Sequence, residues 1–347
     1  MTEDAISRFL SQRAGALRRS VRIRPMGTNE LLDASIGVYQ SIGRTLLLAT
    51  FVPALVVALV WTIVSQRVIP MLFSTSSPGD MGVEVAEAAM AVGLIFLVGL
   101  PAMLFVLSYA SAVVTQLVSS LYLGQISGIA EAHLRALKLL PRLLRLGLVE
   151  ATMVFGVVGV GILFLLWSSA MDEGSGALGA GLVAVLGFVL LYASVLVVPF
   201  VLCRLILVPV VATLEPETRG VIKRATDLMK APQVATVGVS GYGVAWKCFF
   251  IMVILFGIMA GGAAAVVDLL GVADALETLG GPLLLKTLAA MGVAGAPAFL
   301  AIWVVVPVWC TTATLLYYDR RIRHEAFDIE ILSKDVRRAD RSARFQL

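Results

Sequence analysis

Charge is scarce in this chain. Asp, Glu, Lys and Arg make up 14% of its 347 residues and hydrophobic residues 59%, against about 25% and about 45–50% in a soluble domain. No soluble core accounts for that imbalance. Cysteine is scarce too: Cys203, Cys248 and Cys310 stand alone in apolar surroundings with no CxxC. That spacing supports neither a zinc site nor a disulfide framework. Only His133 and His324 are available as imidazoles, and a metal site needs several converging ligands. There is no GxSxG elbow and no GxxxxGK[ST] phosphate loop. Residues 1–24 carry Arg8, Arg13, Arg18, Arg19, Arg22 and Arg24 but no apolar core, so no cleavable signal peptide is expected.

What the chain does have is apolar length. Several runs reach the roughly 20 residues that a membrane-crossing helix needs. Six spans are expected at roughly 45–65, 86–107, 148–169, 178–199, 248–267 and 287–307. The fold class is all-α: a polytopic membrane helical bundle. The segments 1–44, 108–147, 200–247 and 308–347 hold 25 of the 27 Lys and Arg residues, leaving Arg67 and Lys286 for the other loops. Basic loops stay in the cytoplasm, which puts both termini inside.

Spans 2, 4 and 6 each carry a proline, Pro101, Pro199 and Pro307, and apolar character continues beyond each. A short element of mixed polarity precedes spans 1, 3 and 5: "NELLDASIGVYQSIGR", "AEAHLRALKLLPRLLR" and "TRGVIKRATDLMKAPQ". In the second, Leu134, Leu137, Leu140 and Leu144 share one helical face, which suits a helix lying in the membrane interface. Three repeat units follow, at about 28–124, 125–216 and 217–318, each an interfacial helix plus a hairpin of spans. The prolines would kink the spans at one depth. Gly156, Gly159 and Gly161 in span 3, and Gly257 with Gly261 in span 5, suit close helix packing.

Chemistry is hard to find. Glu87, Glu150 and Lys247 fall near span ends, and the span middles are nearly free of ionisable groups. That argues against a pump or a proton-coupled transporter. The non-spanning segments reach about 40–48 residues, too short for a separate catalytic domain. No catalytic, metal or cofactor residue is singled out, and no cofactor is expected.

The candidate contacts are with lipid. Residues 1–27 form a basic amphipathic arm in which Arg18, Arg19 and Arg22 face anionic headgroups. No aromatics interleave these arginines, which disfavours nucleic acid. Arg204 lies just past Pro199 on the cytoplasmic side. Residues 319–347 form a charged cytoplasmic helix. Tyr317 and Tyr318 stand where interfacial aromatics collect. Asp319–Arg323, Arg321–Glu325, His324–Asp328 and Glu330–Lys334 are i,i+4 pairs. Arg321 and Arg323 are candidate phosphate contacts if their pairing leaves one spare.

The stretch "LLYYDRRIRHEAFDIEIL" resembles the ending L-Y-Y-D-L-R-I-R-x-E-G-F-D-L-E of bacterial multi-span proteins carrying the membrane domain of glycerophosphoryl diester phosphodiesterases. Tyr317, Tyr318, Asp319, Arg321, Arg323, Glu325, Phe327, Asp328 and Glu330 match it; Arg320 and Ala326 replace the usual Leu and Gly. "RPMGTNELLDASIGVYQ" and "VIKRATDLMK" resemble the same family's opening and central elements, the latter with Thr226 and Lys230 in less usual places. The resemblance implies a bacterial inner-membrane location and the membrane domain alone, without the catalytic barrel and its metal ligands. The expected role is a non-enzymatic membrane component that organises lipids, or a protein complex or homo-oligomer, at the cytoplasmic leaflet. The alternative is a permease-like protein for an uncharged, lipidic or peptide cargo. A polar cavity reaching mid-membrane would favour the permease, and a solid bundle the scaffold.

Overall fold

The computed structural model describes residues 26–73, 100–123, 127–170, 177–230, 241–271 and 283–325. Nine α-helices and no strand occur among the described residues. They are α1 (Thr28–Phe73), α2 (Leu100–Tyr122), α3 (Ile129–Lys138), α4 (Leu140–Ala170), α5 (Ala177–Leu205), α6 (Val208–Leu214), α7 (Val221–Met229), α8 (Gly241–Leu269) and α9 (Leu283–Glu325). Six stretches are long and apolar enough to cross a membrane: in α1, α2, α4, α8 and α9, and over α5 with α6. This is consistent with a multi-pass integral membrane protein. The basic arm with Arg18, Arg19 and Arg22, the tail with Phe327 and Asp328, the pairs His324–Asp328 and Glu330–Lys334, and the first part of span 2 lie outside the described residues.

Burial sorts the helices. Most of α2 and α9 is covered by protein, whereas α8 is almost wholly open along its apolar length. Helix α9 packs on α1, α2 and α8, and α2 also meets α1, α4 and the short α6. The centre is therefore α2 and α9, with the others around them. Across α1 and α9, Trp303 Nε1 donates to the Leu47 carbonyl at 2.7 Å. Phe51 stands edge-on to Phe299 and Trp303, each at 5.5 Å.

Three departures from expectation have local causes. Spans 2 and 6 do not stop near their prolines; α2 runs on to Tyr122 and α9 continues through Pro307 to Glu325. The proposed boundary at 319 thus falls inside one helix, and Pro199 is likewise inside α5. The chain breaks instead at Ile206–Leu207, ahead of Pro209. Proline clashes with the carbonyl four residues earlier, here that of Leu205, the last residue of α5. The element before span 1 is fused to it within α1, with a non-helical residue at Ile42 (φ −123°, ψ 17°). Those before spans 3 and 5 are the separate helices α3 and α7.

Of the five glycines expected to pack closely, Gly161 does and four do not. A Cβ on Gly156, Gly159, Gly257 or Gly261 would meet nothing within 4 Å. Gly161 packs on the backbone of Gly187, which the sequence did not single out. A Cβ at Gly187 would lie 2.9 Å from the Gly161 carbonyl oxygen and 2.8 Å from Leu165 Cγ. Here α4 and α5 touch backbone to backbone.

Candidate functional site: a charged lock at one end of the bundle

The three stretches that carry the family resemblance are far apart in sequence and meet at one end of the bundle. The Met26 N–H donates to Asp319 Oδ1 at 2.8 Å. Arg323 Nε donates to both Asp319 oxygens at 3.0 Å, and Arg323 Nη2 donates to the Met26 carbonyl at 2.8 Å. This closed ring ties the start of the described chain to the end of α9. Arg320 and Asp319 are each 1% exposed, with Arg320 Nε 3.5 Å from Asp319 Oδ2.

A second ring joins α9 to α7 and the segment after α6. Glu215 accepts from Arg224 Nε at 3.1 Å and Nη2 at 3.2 Å, from the Tyr317 hydroxyl at 2.9 Å and from Thr218 Oγ1 at 3.1 Å. Arg224 also pairs with Glu325, which accepts from Arg321 Nε at 2.8 Å. Arg142 donates to the carbonyls of Glu215, Pro216 and Thr218 and so holds this turn against α4. His324 Nε2 lies 3.1 Å from the Lys230 carbonyl oxygen. Burial disfavours the Glu215 carboxylate, but donors from Arg224, Tyr317 and Thr218 outweigh it and hold its pKa below the ordinary glutamate range. Burial also opposes the Arg224 charge, and its bonds to Glu215 and Glu325 more than restore it.

The tyrosines are not a headgroup collar. Tyr317 and Tyr318 are buried in protein. The Tyr318 hydroxyl lies 2.6 Å from Ser119 Oγ, and its ring stacks on Tyr122 at 4.7 Å. Just inside them, Thr115 and Thr314 hydroxyls meet at 3.0 Å. The cause is that α9 is central, so its last turns face neighbours rather than lipid.

Arg321 and Arg323 are both engaged by carboxylates of the lock. Arg204 is exposed and, among the described residues, has no ion-pair partner; the same holds for Arg44, Lys138, Arg145 and Lys247. Lys138 and Arg204 lie at the ends of α3 and α5, Arg145 and Lys247 in the first two turns of α4 and α8, and Arg44 just past the break in α1 at Ile42. On α3 and the start of α4, Ala132, Ala136 and Leu143 point inward, while Leu134 is 61% and Leu144 56% exposed, with Leu137 and Leu140 exposed between them. His133 approaches Tyr109, its Nδ1 2.8 Å from the hydroxyl; burial lowers its pKa.

Deeper in the bundle lies a cavity of ≈ 320 Å³ among α2, α4, α5, α8 and α9. Its lining is mainly apolar, so it is neither a polar channel nor a solid interior. Because α4 already starts at Leu140, Glu150 falls within the helix, is 7% exposed, and lines this cavity. Among the described residues no group of three or more His, Cys, Asp or Glu side chains suits a metal ion. No protein-family model matches the chain, and neither a curated protein nor a solved structure matches it.

Proposed function

We propose that this is a non-enzymatic integral membrane protein that organises anionic lipid at the cytoplasmic leaflet, with the lock closing its cytoplasmic end. The observation that carries this is the α3–α4 corner, where four exposed leucines lie beside the exposed cations Lys138 and Arg145. A helix of that kind lies in the interface with its apolar side in the acyl boundary. Its cations meet headgroups, each worth about 1 kcal/mol near an anionic surface. Arg44, Arg204 and Lys247 extend the basic rim, while Asp268 stands at the far end of α8. That asymmetry supports a cytoplasmic lock and both termini inside. The separate helices α3 and α7 before spans 3 and 5, and the part of α1 ahead of the break at Ile42, support three repeated units. Membership of the glycerophosphoryl diester phosphodiesterase membrane-domain family, suggested by the motif around Asp319, belongs to this proposal without any phosphodiesterase activity.

Native mass spectrometry after gentle extraction tests it. The protein is expected to keep phosphatidylglycerol in preference to phosphatidylcholine. Combining Lys138→Gln, Arg145→Gln and Arg204→Gln removes about 3 kcal/mol of attraction by the same scale, so the preference falls at least about tenfold. Equal retention of both lipids, or a preference untouched by the triple variant, refutes the role. A permease-like role has one observation in its favour, the cavity at Glu150.

A further inference from the structure

Glu150 is an acid without a counter-charge in an apolar place. Ser108 Oγ donates to its Oε2 at 3.3 Å, and among the described residues this is its sole polar partner. Its other oxygen is left for something else. A buried carboxylate is costly unless it is paired and hydrogen-bonded, and an ionisable residue inside a membrane helix ordinarily marks a functional site. The cavity it lines adds a second feature. Phe249, Phe256 and Trp309 are on its wall, with Phe249 and Trp309 edge to face at 6.3 Å. Aromatic faces attract ammonium groups, most strongly where water is excluded. An acid and three aromatic side chains thus line one apolar space.

Size and position narrow the ligand. At ≈ 320 Å³ the cavity is at the low end of the roughly 300–1,000 Å³ of small-molecule sites, which favours one chain over a diacyl lipid. Ser108 precedes Ser119, a lock residue, by eleven positions on α2, about 16 Å along the helix. Glu150 follows Arg145 by five positions on α4, and the lining residues Leu202 and Leu205 flank Arg204, so the site sits just beneath the basic rim, with its apolar walls running deeper. Its wall on α8 includes Val253, a side chain that is half exposed on the open face of that helix, so a chain can enter from the bilayer.

We propose that this cavity binds a single-chain lipophilic amine, its ammonium held by Glu150 and the aromatic wall and its chain along Leu104, Met252 and Val305. The site shares no residue with the α3–α4 corner, so its failure leaves the headgroup contacts standing, and the reverse holds as well.

The test uses two photoreactive probes with the same twelve-carbon chain, one ending in an amine and one in a carboxylate. Each is cross-linked to the protein in nanodiscs and the adducts are mapped by peptide mass spectrometry. The amine is expected to label the cavity stretches of α2, α8 and α9 at least tenfold more than the carboxylate. Unlabelled dodecylamine should compete. Glu150→Gln, which keeps the side-chain shape and an acceptor for Ser108, should erase the preference. Met252→Trp, which fills the cavity and leaves Glu150 intact, should abolish labelling, so one misfolded variant does not decide the outcome. Equal labelling by both probes overturns the proposal, as does labelling confined to the bilayer-facing Ile254 and Ile258 or an amine preference that survives both substitutions.

Discussion

Asp319→Ala is expected to cost about 3–5 kcal/mol of stability, the range found when one partner of a buried ion pair is removed. Two groups lose their acceptor together, the Met26 N–H and Arg323, and Arg320, as deeply buried as Asp319 itself, loses a carboxylate 3.5 Å from its Nε. Part of the loss comes from the buried Arg320 charge, which loses the attraction of its neighbouring carboxylate. Adding Arg320→Leu, the residue that the family resemblance expects there, should therefore recover part of it, although Met26 and Arg323 stay unsatisfied. Thermal unfolding in detergent, followed by size-exclusion chromatography, measures both variants. A double variant no more stable than Asp319→Ala would show that the pairing of Arg320 with Asp319 is energetically unimportant.

Gly187→Leu is the second large effect. The added Cβ would already sit 2.9 Å from the Gly161 carbonyl oxygen, and backbone cannot move aside as a side-chain tip can. Overpacking of this kind costs about 1–3 kcal/mol per site, and a backbone clash belongs at the upper end. The expected result is a lower unfolding temperature and separation of α4 from α5. Gly257→Leu is the control, because an added Cβ there meets nothing within 4 Å. If the two variants unfold alike, the α4–α5 contact is not what keeps Gly187 small.

The contrast between these glycines shows what sequence can carry. Gly257 and Gly261 have the spacing of a packing motif, and Gly187 has no motif around it, yet Gly187 makes the contact. Spacing says which residues share a face; it does not say which face meets a neighbour. The same limit applied to Tyr317 and Tyr318. Their place at the end of a long apolar run fitted an interfacial collar, but α9 is the central helix and its end is covered. The six spans were legible because hydrophobic length is a property of each segment alone. The i,i+4 pairs Asp319–Arg323 and Arg321–Glu325 were legible because both partners sit on one helix. Glu215, Arg224 and Arg142 were missed as members of the lock because their partners lie across the fold. Glu150 was missed because Ser108 and the other walls of its cavity lie on other helices.

The central claim is that the lock closes the cytoplasmic end of a six-span bundle. Single cysteines reacting with a membrane-impermeant maleimide test it most directly, since the native Cys203, Cys248 and Cys310 are buried. Arg219→Cys places the thiol on the exposed turn held by Arg142. Leu269→Cys places it at the far end of α8, about 42 Å along the helix from Gly241. In intact cells Leu269→Cys should label at once, and Arg219→Cys only after the membrane is opened. Labelling of Arg219→Cys from outside, with Leu269→Cys protected, would contradict the account.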